Sequence, residues 1–173
     1  MQKPISLKRR RRGSLIAELP VALYLLIFGF AIPAIGMAAL GARVAMLFVV
    51  SRNACNTACK ASGYTVGANA AAAAQSRGCV AFPYIAGTGS LQIIAYPVTG
   101  LGTATVYPPG PITQAQIQTN NFTYYVRWTV PGTIFPLITD SGWLGGAVPG
   151  LTGPITMNVV CEDYVENPNG LQN

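Results

Sequence analysis

Histidine is absent from this 173-residue chain, and only 9% of its residues are charged. Catalysis needs convergent groups whose protonation can be tuned, and these shortages remove most of them. Past the first long apolar segment only four acids remain, Asp140, Glu162, Asp163 and Glu166, and no GxSxG nucleophile motif accompanies them. Asp140-Ser141-Gly142 stands alone, and the acids near the C-terminus read as a solvated tail, so the chain is not read as an enzyme. Without histidine and without a close CxxC pair, the cysteines also lack the spacing of a zinc site, and no metal or cofactor is called for. Acid is scarce too, and the net charge is +6. Yet Lys3, Lys8 and the run Arg9 to Arg12 supply six of the eleven basic residues, leaving five bases against five acids in the rest. No basic face with interleaved aromatics survives outside that run, which excludes nucleic acid as the main partner.

Apolar sequence is what the chain has in abundance. Between Glu18 and Arg43 lie 24 residues without a charge. As a helix they span about 36 Å, enough to cross a bilayer with some tilt. A secretory signal peptide has a shorter apolar core, followed by a small-residue cleavage site, whereas this segment continues past Arg43 through Val44 to Val50. Four arginines directly before the span hold the N-terminus in the cytoplasm and place everything after about residue 45 outside. Pro20 falls in the first turns, where a missing donor costs little, but Pro33 sits mid-span and should kink the helix or loosen one turn, helped by Gly29 and Gly36. Ala31, Ala34, Ala38, Ala42 and Ala45 recur at spacings of three and four, so they line one side and admit another helix backbone.

The length suits one domain plus an anchor, and the 19 glycines and 13 prolines suit an exported, turn-rich one. The expected fold class is α+β: a long transmembrane helix over 14–62, then an exported domain over 63–173 with a short second helix and a small antiparallel sheet. Helical pattern continues from Ser51 to Ala61, stops at Gly63 and resumes from Ala68 to Ser76 before Gly78. Phe122 to Val130 alternates most clearly, with Phe122, Tyr124, Val126, Trp128 and Val130 on one face. Ile155 to Glu162 is a second strand, with Ile155, Met157, Val159 and Cys161 on its apolar side; Leu91 to Tyr96 and Ala104 to Tyr107 are weaker. Pro131 to Pro154, with four prolines and six glycines, reads as a long loop. Cys55, Cys59, Cys79 and Cys161 are even in number and fall on the exported side, so two disulfides are expected among three possible pairings. A second helix folding back near residue 64 would bring Cys79 nearer Cys55, which favours Cys55–Cys79 with Cys59–Cys161.

The junction Arg9-Arg10-Arg11-Arg12-Gly13-Ser14-Leu15-Ile16-Ala17-Glu18-Leu19-Pro20 resembles the leader and cleavage site of type IV pilin-like proteins. In that pattern a basic leader ends in glycine and the fifth mature residue is a glutamate heading an apolar helix. Counted from Ser14, Glu18 is the fifth. The short leader, the Ala-rich helix with spaced Arg43 and Arg52, and the β-rich tail look most like TadE-like minor pseudopilins of tight-adherence (Tad) pilus systems. The chain differs from many members in carrying Leu19 where an aromatic is common, and in having Pro33 within the helix. The resemblance implies a cytoplasmic leader over 1–13, cut between Gly13 and Ser14 by a prepilin peptidase. It also implies an assembly role for Glu18, pairing with the free amine of a neighbouring subunit. Its partners would be other pilin subunits through the N-terminal helix, the peptidase, the pilus assembly machinery and the membrane. The chain would lie in a bacterial inner membrane as a single pass, and in an extracellular pilus for adhesion or secretion after assembly. Glu18 also has a plainer reading, since a carboxylate near the bilayer surface can pair with the arginines or stay wet. The alternative function is accordingly an uncleaved, single-span anchored protein whose outer domain binds an envelope partner.

Overall fold

The structure is a computed structural model, and it describes residues 18–100, 102–118, 121–138, 150 and 152–172. Its architecture is α+β. One long helix, α1 (Glu18–Cys59), is followed by a second, α2 (Tyr64–Ala81). A five-stranded antiparallel sheet then forms from β1 (Ile85–Ala86), β2 (Ser90–Pro97), β3 (Thr105–Val106), β4 (Phe122–Ile134) and β5 (Ile155–Tyr164).

Helix α1 is a single apolar rod whose two halves meet different surroundings. From Glu18 to Ala31 every residue is exposed, and the helix is long and apolar enough to cross a membrane. From Arg43 onward one face sinks into the C-terminal domain: Arg43, Leu47, Val50, Ser51, Ala54, Cys55 and Ala58 recur at three and four and are buried. The loosened turn expected at Pro33 is present. Residues Ile27–Ala31 form a π turn in which the Ile32 amide donates to the Ile27 carbonyl, five residues back. A proline ring crowds the carbonyl four residues before it and offers no donor, so widening the preceding turn keeps the rod continuous where a regular helix would clash.

Helix α2 lies antiparallel along the second half of α1, held close by two glycines. The Gly67 Cα sits over the Ala58 carbonyl, where an added Cβ would lie 3.0 Å from that oxygen. A Cβ on Gly78 would overlap the Val50 side chain. Helix α2 therefore runs through Gly78 and also begins four residues earlier than Ala68, so Gly78 marks a close approach of two backbones instead of the helix end that the sequence pattern suggested.

The sheet covers the pair from one side. Strand β4 is its axis, pairing along one edge with β5 from Tyr125↔Tyr164 to Ile134↔Ile155. The other edge is shared in line by β2 (Pro97↔Phe122 to Ser90↔Thr129) and β1 (Ala86↔Thr133, Ile85↔Ile134). The strand expected at 122–130 continues to Ile134, through Pro131 and Gly132, which corrects their assignment to a loop. Pro131 is tolerated because of register. The Asn121 carbonyl accepts from Val98 on the β2 side and the Tyr124 carbonyl from Val165 on the β5 side, so odd-numbered residues of β4 turn their backbone toward β2. Pro131 thus faces Gly87–Gly89, where the β1–β2 line is interrupted and no ladder donor is missed. Gly132 in turn clears room for Leu47, since a Cβ there would overlap that side chain. The inner face carries Tyr124, Val126, Trp128, Val130 and Ile93 against the helices. On the outer face Tyr125 meets Tyr96 and Tyr164 edge-on, while Arg127 Nε donates to Glu162 Oε1 at 2.7 Å and the Tyr96 hydroxyl to Glu162 Oε2 at 3.0 Å.

Gly78→Ala separates helix propensity from packing. Propensity alone would stabilise α2 by about 1 kcal/mol. The overlap with Val50 should outweigh it and lower the stability of the full chain in detergent by about 1–3 kcal/mol. A rise in the thermal midpoint would show that α1 and α2 do not pack at that distance.

Candidate functional site

The most prominent uncovered feature is the first half of α1. Leu19, Val21, Leu23, Leu25, Leu26 and Phe30 are each more than half exposed, and no polar stripe interrupts them. A helix that is apolar all round has no stable home in water. At 100° per residue the alanine stripe and the buried face Arg43, Leu47, Val50 and Ala54 point in nearly opposite directions. Ala31, Ala34, Ala38, Ala42 and Ala45 are accordingly all exposed, on the side of the rod turned away from the domain. Glu18 heads this segment and is exposed. Gly13 and Ser14, the expected cleavage site, lie outside the described residues, as do the basic run and Trp143.

The rod enters the domain at Arg43. Its guanidinium donates through Nη1 to the Phe135 carbonyl and lies over the Tyr84 ring, 4.2 Å from the centroid. The side chain is buried, and a buried cation needs such partners because its desolvation would otherwise cost several kcal/mol. The Phe135 amide donates to the Tyr84 carbonyl at 2.9 Å, so the two aromatics that hold Arg43 are fixed to each other. The sequence marks Arg43 as the charge that ends the apolar run and, with Arg52, as one of the spaced arginines of the resemblance, but assigns it no partner. Its partners, 41 and 92 residues further along, leave no local signal.

The four cysteines are free thiols in this structure, so it contains neither of the two expected disulfides. The helix register does not suit the expected Cys55–Cys79 bridge. Val50 lies against Gly78 and Ala58 against Gly67, which puts Cys55 level with Ala71 and Ala72. Cys79 is then roughly 10 Å further along the axis, too far for a bridge to Cys55, which needs Cα atoms within about 7 Å. Cys55 instead turns to the sheet, where its Sγ approaches the Cys161 carbonyl at 3.5 Å and the Val126 carbonyl at 3.8 Å. Cys59 points its thiol back to the Asn56 carbonyl at 3.3 Å. Cys79 stands apart, with Gln75 Nε2 donating to its sulfur and its thiol directed at the Gly87 carbonyl, each at 3.8 Å. Burial pushes the Cys161 thiol above its ordinary value and Asp163 adds to the rise, with Arg52 pulling against them.

No family model, no curated protein and no solved structure matches the chain.

Thiol reactivity should follow this layout. In the reduced, folded protein at neutral pH, Cys59 and Cys79 should be alkylated first. Cys55 and Cys161, almost fully buried, should react only as the domain opens, and the raised Cys161 value leaves little thiolate below alkaline pH. Peptide mass mapping over time gives the order; early modification of Cys161 would mean that the α1–β5 contact is not closed.

Proposed function

We propose that the chain is a minor pilin or pseudopilin, TadE-like, which a prepilin peptidase processes after Gly13 and which joins or initiates a tight-adherence pilus through its N-terminal helix. The observation that carries this reading is the joining of two features. The sequence has a basic run ending in glycine with a glutamate five residues on, and the helix that this glutamate heads is apolar and uncovered from Glu18 to Ala31. The alanine side of the rod supports helix-to-helix packing, because it faces away from the chain's own domain and lets neighbouring rods approach without displacing it. The positive run supports a single crossing of the bacterial inner membrane with the C-terminal domain exported.

In an oxidising compartment the thiol layout favours a Cys55–Cys161 disulfide. It would form by exchange with an oxidised dithiol partner, whose disulfide takes up the two electrons and two protons. Such a bond would staple α1 to β5, whereas Cys55–Cys59 would close only one helical turn. Non-reducing peptide mapping of exported protein should recover Cys55 joined to Cys161. A Cys55–Cys79 peptide would contradict the helix register described above.

The functional test uses two variants in one strain. Gly13→Phe should leave the precursor uncut in the membrane, because a peptidase cleft shaped around glycine has no room for a ring. Glu18→Ala should insert and be cut normally, since removing a carboxylate only makes the helix more apolar. Filament yield should nevertheless fall sharply, the incoming amine having lost its counter-charge in a low-dielectric bundle. N-terminal sequencing of the wild-type protein should start at Ser14. Normal filaments from Glu18→Ala, with an N-terminus at Met1 or Gln2 in wild type, would replace the pilin reading with an uncleaved anchored protein.

A further inference from the structure

The end of the C-terminal domain from which the first half of α1 projects carries a cluster of large apolar side chains that the fold leaves uncovered. Tyr84 and Leu137 are about half exposed, at 53% and 50%, and Phe82 and Phe135 more than a third. Tyr84 and Phe135 lie at the helix beside Arg43, Phe82 borders Val49 and Val50 further along it, and Leu137 follows Phe135 by two residues in the chain. Arg43 bonds the Phe135 carbonyl and stacks on Tyr84, Phe135 pairs with Tyr84, and the Ile85 amide donates to the Phe82 carbonyl at 3.1 Å. Topology brings Tyr84 and Phe135 to one level, with Phe82 on the side toward Val50. Strand β4 runs toward this end and finishes at Ile134, β1 pairs with its last two residues, and α2 ends at Ala81 beside them. Gly150, in the connection from β4 to β5, reaches the same level and lies against Leu40.

Charge is arranged along the same axis. Among the described residues the acids of the domain are Glu162, Asp163 and Glu166. Glu162 and Asp163 pair in register with Arg127 and Val126, beside Cys55, twelve residues beyond Arg43 on α1. That is about 18 Å further from the exposed half of the helix. The end bearing the aromatics therefore presents apolar rings packed about a buried cation, with no described acid beside them.

We propose that this end of the domain is a membrane-interface collar, in which Phe82, Tyr84, Phe135 and Leu137 enter the headgroup layer of the leaflet from which α1 emerges. The inference rests on the reading that α1 spans the bilayer, and the length of the span sets the depth. A hydrocarbon core of roughly 30 Å takes about 20 helical residues, so a helix entering at Leu19 leaves it close to Leu40. Arg43 then stands in the headgroup layer, where aromatic side chains with one apolar and one wet end are favoured. The partner is thus the lipid surface. A protein partner would have to compete with lipid for a patch that flanks the base of the membrane helix.

A photoreactive benzophenone side chain introduced into the full chain tests this in vesicles of phosphatidylethanolamine and phosphatidylglycerol, with lipid adducts read by mass spectrometry. Separate variants carry it at Tyr84, Leu137, Leu26 and Tyr164. Adducts at Leu26, Tyr84 and Leu137 with none at Tyr164 are expected. Lipid adducts at Leu26 but at neither Tyr84 nor Leu137 would overturn the collar and leave the span intact. Absence at Leu26 would overturn the span itself. Equal adducts at Tyr164, or cross-links from Tyr84 and Leu137 to a second protein chain instead of lipid, would also reject the collar. Leu137 lies beyond the end of β4, so it reports even if the Tyr84 variant loses its contact with Arg43.

Discussion

Everything in this molecule depends on one helix being shared by two environments. The buried face of α1 from Arg43 to Ala58 is the floor on which β4, β5 and α2 are laid, and the same rod continues without a break into a segment, Glu18 to Ala31, whose residues are all exposed. A hinge between the two would uncouple them, and the sequence avoids one: the strain of Pro33 is absorbed by a single widened turn. Motion or force applied to the apolar end is therefore delivered to the sheet.

Close packing along that floor is obtained with small residues in place of large ones. Gly67, Gly78 and Gly132 each give up a side chain so that Ala58, Val50 and Leu47 can approach a backbone. Helix propensity is lost at two of these positions, about 1 kcal/mol apiece, and regained as contact area over the interface. Arg43 follows the opposite logic. It is a cation held at the domain's lower rim by one carbonyl and one ring, so α1 is fixed in depth and rotation where it leaves the domain.

The sequence made the periodic elements legible. The alternation in Phe122–Val130 and Ile155–Glu162 located the two longest strands and their inner faces, and the uncharged run located the exposed half of α1. What escaped were features set by partners distant in the chain. Pro131 reads locally as a strand breaker, and only the interruption at Gly87–Gly89, more than forty residues earlier, makes it harmless. Gly78 reads as a helix stop, and only Val50 turns it into a contact. The thiols fail similarly. A fold-back turn near residue 64 was rightly expected, but the register along α1 is set by where the glycines seat, and this moves Cys79 past Cys55 toward Gly87. At the candidate site, the order of Gly13, Ser14 and Glu18 is written only in sequence, whereas the Arg43–Tyr84–Phe135 cluster is written only in space.

A consequence follows for any assembly that draws α1 out of lipid. Burying a leucine or phenylalanine side chain is worth about 1.5–3 kcal/mol, so leaving Leu19, Leu23, Leu25, Leu26, Phe28 and Phe30 in water would cost an amount comparable to a typical domain's whole stability. The chain's own domain leaves them exposed, because the first buried residue of α1 is Gly36. On the proposed reading, other copies of the helix would cover them. The side opposite the domain is lined with alanines, so rods can close to short distances there while each domain remains outside the bundle. The same orientation would lift Tyr84 and Leu137 from one apolar boundary and offer them to the next, at the outer surface of the helix bundle. On the proposed pilin reading, a single arrangement of faces would serve the helix in lipid and in a bundle, and the domain would not need to refold between them.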